Sequence, residues 1–197
     1  MAVAEIMAKD GLPILFFETQ ADFESWLDQN HARSKGIWLK LAKKGTGIRS
    51  ISRQEALDAA LCYGWIDGQA KSIDDMHWLQ RYTPRRPKSK WSKINCQRAM
   101  ELEAEGRMKP AGLREVQAAK EDGRWEQAYA SPKNIEVPED LRQMLEERPE
   151  AKALFDRLDS RNRYVILYRI HDAKRPETRR KRIEKFVDML SEGKTIY

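Results

Sequence analysis

The run Ile37-Trp38-Leu39-Lys40-Leu41-Ala42 alternates without a break, and it commits the chain to a fold that contains a sheet. Successive side chains on a strand point to opposite faces. Ile37, Leu39 and Leu41 therefore make one apolar face, and Trp38, Lys40 and Ala42 the other. A helix follows the basic turn at 43–47. Ser52 and Glu55 have the spacing of a capping box, and Ala56, Leu57, Ala60 and Leu61 recur at helical intervals. Gly64 is placed to end this helix as a left-handed C′ residue.

Two further strands are predicted at Trp65–Ser72 and His77–Thr83, joined as a hairpin by a turn at Asp74-Asp75. Simple alternation puts Ile66, Gly68 and Ala70 toward a helix layer, and Trp65, Asp67, Gln69 and Lys71 on the opposite face. Ile14–Phe17 predicts a short strand after a loose lead-in over 1–13. Thr19 opens a helix carrying Phe23, Trp26 and Leu27.

Beyond Pro87 the pattern is helical. Helices are predicted over 91–105 and 111–121, with a further turn over 124–129. Another starts with Pro138 at its first position. Later ones carry Leu154, Phe155 and Leu158, then span Tyr164–Ala173, then run from Pro176 to near Gly193. The expected class is α+β: a small antiparallel sheet with packed helices in the N-terminal half, and a helical C-terminal half. The expected division is an α+β domain over 1–130 and a helical region over 131–197 packed on it.

Apolar residues make up 41% of the 197, enough for a core without staples, and six tryptophans argue against disorder. Cys62 and Cys96 lie far apart in helical segments and read as small packing residues, in keeping with a reducing compartment. The start of the chain lacks the charged, apolar and small-residue blocks of an export signal, and no stretch is apolar enough to span a bilayer. The expected location is the cytoplasm, away from the membrane. His31, His77 and His171 are scattered, and no zinc, phosphate-loop or nucleophile-elbow motif is present. No catalytic residue, metal site or cofactor is therefore assigned.

The net charge is +6, a mild excess whose distribution matters more than its size. Arg81, Arg85, Arg86, Lys88, Lys90, Lys93 and Arg98 occur in a span without Asp or Glu, interleaved with Tyr82 and Trp91. Ser89 or Ser92 can cap the following helix, whose N-terminus attracts anions. Guanidinium forks, hydroxyls and a helix start suit a phosphate or carboxylate. A solvated basic face whose aromatics merely pack is the alternative. A second basic run, 174–185, reads as a solvated amphipathic helix or a nucleic-acid contact. Asp67, with Arg81 or His77 expected as neighbours, is either an ion-paired structural carboxylate or an acid with a raised pKa.

The blocks EALDAALCYGWIDGQ, RYTPRRPKSKWSKIN, EGRMKPAG, AKEDGRWEQAY, VPEDL and AKRPETRRKRI resemble those of the YdeI/OmpD-associated (OmdA, bacteriocin-protection) family, in family order. The resemblance implies a bacteriocin-protection or stress association and brings no reaction with it. It covers Trp65, Asp67, Arg85, Arg86, Ser89, Trp91, Ser92, Asn95, Arg107 and Trp125. The residue types favour a non-enzymatic binding protein. Its expected pocket uses Trp65, Asp67, Arg81, Arg85, Arg86, Ser89, Trp91, Ser92 and Asn95 to hold a small anion or acidic peptide. Nucleic-acid binding through 81–98 and the helix at 174–185 is the first alternative, and an enzyme with Asp67 as acid or base the second.

Overall fold

The computed structural model describes residues 6–197. They form two compact units: 6–91 with Asn95–Gln127, and Ser92–Ile94 with Ala128–Tyr197.

The first unit is built on one sheet. Its strands are β1 (Ile6–Met7), β2 (Pro13–Phe16), β3 (Ile37–Ala42), β4 (Trp65–Ser72) and β5 (His77–Pro84), in the order β1-β2-β3-β5-β4. The class is α+β, with a helical C-terminal half. Three of the four pairings are antiparallel, and β2–β3 is parallel. A parallel pair needs a crossover. Helix α1 (Gln20–Asn30) supplies it, capped by Thr19, whose side chain accepts the Asp22 N–H. β1 falls within the segment expected to be a loose lead-in; a strand of two residues carries no periodicity to read.

One face of the sheet carries Ile37, Leu39 and Leu41, all at most 2% exposed, with Leu15 and Tyr82. Phe23 and Leu27 of α1 are fully buried four residues apart, and Phe23 packs 6.0 Å from the Tyr82 ring. Each such side chain contributes roughly 1.5–3 kcal/mol by leaving water. On the other face, Trp38 and Leu79 are covered by Leu12 and Ala8. Asp10 accepts the Trp38 indole N–H at 3.1 Å. Burial works to raise the Asp10 carboxyl, but the Trp38 and Leu12 hydrogen bonds and the Arg81 charge outweigh it and hold the pKa down.

Helix α2 (Arg53–Cys62) starts on the capping box. The Ser52 side chain accepts the Glu55 N–H, and the Glu55 carboxylate accepts the Ser52 N–H at 2.8 Å. Gly64 ends it with φ 74°, a conformation that a side chain would strain. Helix α3 (Lys93–Ala104) begins two residues later than expected, and its first two residues count with the second unit. Helix α4 (Pro110–Glu121) crosses the end of α2 at Gly112. A Cβ there would lie 2.3 Å from the Cys62 carbonyl oxygen and 2.7 Å from that of Leu61.

The expected helical turn at 124–129 is absent: residues 122–127 form turns. Within the second unit, Tyr129 instead forms a parallel bridge with Ser92 and accepts the Lys93 N–H at 2.9 Å. This unit is helical: α5 (Glu139–Glu146), α6 (Pro149–Asp156), α7 (Ser160–His171) and α8 (Pro176–Ser191). Pro138 stands just before α5 as its N-cap, whereas Pro149 and Pro176 start their helices. The core comprises Leu141, Leu145, Phe155, Ile166, Leu167, Ile170, Ile183, Phe186, Val187 and Leu190. Buried Asn162 ties down the chain end: its Oδ1 accepts the N–H groups of Ile196 and Tyr197 at 3.1 and 3.0 Å.

Candidate functional site

The loop that leaves β5 is braced from several directions. Ser89 N–H donates to the Arg86 carbonyl at 2.9 Å, and the Ser89 hydroxyl accepts the Arg86 N–H at 2.9 Å. Pro87 presets the first corner of this turn, and Lys88 takes φ 68° at the second, as in a type II turn. A left-handed lysine costs roughly 1–2 kcal/mol, so the surrounding bonds must hold it there. One of them comes from Arg124, whose Nη1 donates to the Ser89 carbonyl at 2.8 Å.

Under this turn Arg85 is buried, 6% exposed, with its guanidinium carbon 3.4 Å from the centre of the Trp91 ring. Its Nη1 donates to the Lys90 carbonyl at 3.3 Å, and its backbone N–H donates to Gly64 O at 3.0 Å. Trp91 is itself 1% exposed and meets Trp125 at 5.0 Å between ring centres. The Trp91 indole N–H is buried without an acceptor among the described residues. Arg85 and Trp91 therefore form the foundation of the loop; Lys90 is exposed, and so are Arg86 and Lys88. Neither Arg86 nor Lys88 enters an ion pair among the described residues.

The other expected site residues divide. Trp65 is core: its indole N–H donates to the His31 carbonyl at 3.2 Å, and it meets Trp26 edge-on at 5.8 Å. Arg81 lies 3.6 Å from Asp10 across an ion pair too long for a hydrogen bond. Asn95, 7% exposed, belongs to the first unit and Ser92 to the second.

Asp67 is not where simple alternation put it. Register shifts between Asp67 and Ala70, so β4 changes faces within its own length. Trp65 and Asp67 point to the helix-covered face, while Lys71 lies 4.2 Å over the Trp38 ring on the other. The partner of Asp67 is Arg53 at 3.6 Å, and neither Arg81 nor His77. His77 pairs with Asp74.

Arg98, counted above among the uncompensated cations, is neutralised. It holds Asp58 of α2 through two 2.8 Å bonds, and also contacts Glu101 and Glu105 at 2.8 and 3.3 Å. The hydrogen bond to Asp58 is the largest cause that raises the Arg98 pKa. Arg107 bridges Glu105 at 3.3 Å and Glu24 at 3.5 Å. Cys62 and Cys96 are buried, and burial pushes both thiols up to about 11. Among the described residues no group of His, Cys, Asp and Glu is arranged to hold a metal ion. No helix among them is long and apolar enough to cross a membrane.

Sequence reasoning missed Arg53, Asp58, Gln80 and Arg124 as parts of this region, and read Tyr82 only as an aromatic of the basic span. Asp58 had no local signal, because its partner lies forty residues away. Arg124 had only its place in the block AKEDGRWEQAY.

No curated protein and no solved structure matches the chain. Residues 134–193 match the family described as "Bacteriocin-protection, YdeI or OmpD-Associated". The resemblance read from the residues therefore stands over the C-terminal portion, where VPEDL and AKRPETRRKRI lie. The blocks around Asp67 and Arg85 fall in a different match, and by that longer match, over residues 15–115, the chain belongs to the family described as "Domain of unknown function (DUF8412)".

Proposed function

We propose that this chain is a non-enzymatic binding protein that takes a small anion or an acidic peptide on the loop between β5 and α3. One observation carries the reading: an exposed cation pair, Arg86 and Lys88, is displayed on a turn held in a strained conformation by Ser89 and Arg124. A loop braced in this way binds without first paying to order itself. Arg85 and Trp91 beneath it add positive potential and an indole donor. The match over residues 134–193 supports a bacteriocin-protection setting for that binding. Tryptophan fluorescence with inorganic phosphate, citrate and a glutamate-rich peptide tests the reading. A saturable change is expected from at least one, weakened about tenfold in the Arg86→Ala/Lys88→Ala variant, and a flat response to all three refutes it.

A second reading, nucleic-acid contact, draws support from α8. Arg179, Arg180 and Arg182 are paired there, whereas Lys174, Arg175, Lys181 and Lys185 are exposed without an ion pair among the described residues. Duplex DNA affinity should then fall steeply with salt, because phosphate contacts release counterions. Absence of a gel shift at low salt rules this out.

A further inference from the structure

We propose that the end of the sheet formed by the loop after β3 and the β4–β5 turn is an interaction surface, and that its partner is an acidic amphipathic helix of another protein.

Three apolar side chains stand exposed there: Ile48 at 37%, Ile73 at 44% and Met76 at 41%. Single exposed apolar residues are ordinary, but a cluster marks a surface that another molecule covers. The cluster follows from hydrogen bonds between the two loops. The Lys43 N–H donates to the Met76 carbonyl at 2.8 Å, and the Lys43 ammonium to the Asp74 carbonyl at 2.7 Å. The Thr46 hydroxyl donates to the Lys43 carbonyl at 2.9 Å and accepts the Ile48 N–H at 3.4 Å.

The surface is ordered before anything binds. Asp74 Oδ1 accepts the N–H groups of Met76 and His77 at 2.8 and 2.6 Å, which closes the 73–76 turn. Further along the hairpin, buried Gln80 holds β4 where its register shifts: its Nε2 donates to Gly68 O at 2.8 Å and to Gln69 O at 3.3 Å. A surface ordered in advance loses little entropy on association.

The charges decide the partner. Residues 43–50 carry Lys43, Lys44 and Arg49 and no acid. Lys44 and Arg49 are exposed and enter no ion pair among the described residues. Of the two carboxylates on the turn, Asp74 is engaged by the backbone and by His77 at 3.1 Å, which leaves Asp75. Surplus positive charge beside apolar side chains matches a helix whose apolar stripe is flanked by Glu or Asp. A second copy of the chain would bring the same cations. A phosphate backbone has nothing apolar for Ile48, Ile73 and Met76. An anionic bilayer would be repelled by Asp74 and Asp75 at the centre of the turn.

Fluorescence anisotropy of the full chain with a labelled peptide of Glu and Leu, its leucines at helical spacing, tests this. Saturable binding is expected, and replacing Glu by Gln or Leu by Ser in the peptide should weaken it about tenfold or more. Ile73→Ser/Met76→Ser and Lys44→Ala/Arg49→Ala should each do the same from the protein side, at an unchanged Tm. Arg86→Ala/Lys88→Ala should leave the affinity unaltered, which separates this surface from the anion-binding loop. No saturable binding overturns the proposal. So does binding that Arg86→Ala/Lys88→Ala loses and the other two variants keep, or binding to phosphatidylglycerol vesicles in preference to the peptide.

Discussion

Arg98 grips Asp58 with both prongs of its guanidinium: Nε reaches Oδ1 and Nη2 reaches Oδ2, each at 2.8 Å. Gln54 adds a third bond to Oδ1 at 2.8 Å. The Asp58 side chain is only 8% exposed, so this carboxylate depends on its partner. Removing one member of a buried pair costs about 3–5 kcal/mol. Arg98 keeps 22% exposure and Arg107 stands 4.0 Å away, which lowers the expectation for Arg98→Ala to about 2–3 kcal/mol. Urea denaturation should show it, and Arg98→Lys should recover only part, because an ammonium cannot fork.

The α2–α4 crossing gives a steric prediction. At Gly112 the obstructing atoms are backbone carbonyls, which cannot rotate away as a side-chain tip would. Gly112→Ala should therefore destabilise by about 3 kcal/mol, seen as a lower denaturation midpoint at an unchanged slope.

Thiol chemistry should be silent in the folded chain. Burial holds both Cys62 and Cys96 at about 11, so neither carries appreciable thiolate at neutral pH. A disulfide reagent such as Ellman's should react only as fast as the chain opens, and at full rate in denaturant. Prompt modification at pH 7 would contradict the buried placement.

In the second unit, Arg179 bonds to Asp140 at 2.6 and 2.9 Å, and this bond is the main reason the Asp140 pKa lies below its ordinary value of 3.8. Asp159 is lowered as well, chiefly by the Asn162 N–H at the start of α7. Because the folded pKa is lower than the unfolded one, both contributions are present above pH 3.8 and fade as pH falls through the lowered values. Acid unfolding followed by circular dichroism should shift to higher pH in Asp140→Asn, while stability at pH 7 drops by about 1 kcal/mol or less, given the exposure of the pair.

The elements legible in the sequence are those whose causes are local. Ser52 and Glu55 announce the start of α2 because the two residues answer each other within one turn. The alternation of β3 is legible because nothing interrupts it. β4 defeats the same logic: one shift between Asp67 and Ala70 inverts the faces expected for Trp65, Ile66 and Asp67 while those of Ala70 and Lys71 stand, and Gly68 is the one local sign of it. The basic span misled in a different way. Its lack of acids is real in sequence, yet Asp10 and Asp58 supply counter-charge to Arg81 and Arg98 from 71 and 40 residues away. The loop residues that stay unpaired, Arg86 and Lys88, are those whose neighbours are set by the turn itself.

The Gln80 amide has one more effect. β4 forms a border of its sheet, where a row of open carbonyls would invite a strand from another molecule to dock. The carbonyls of Gly68 and Gln69 accept the Gln80 amide from within the same chain, and the irregular backbone that this fixes spoils the spacing that an incoming strand would need. The fold thus protects its own margin against fibril-like growth, and Gln80→Leu should make the chain more prone to aggregate on gentle heating, without altering its helical half.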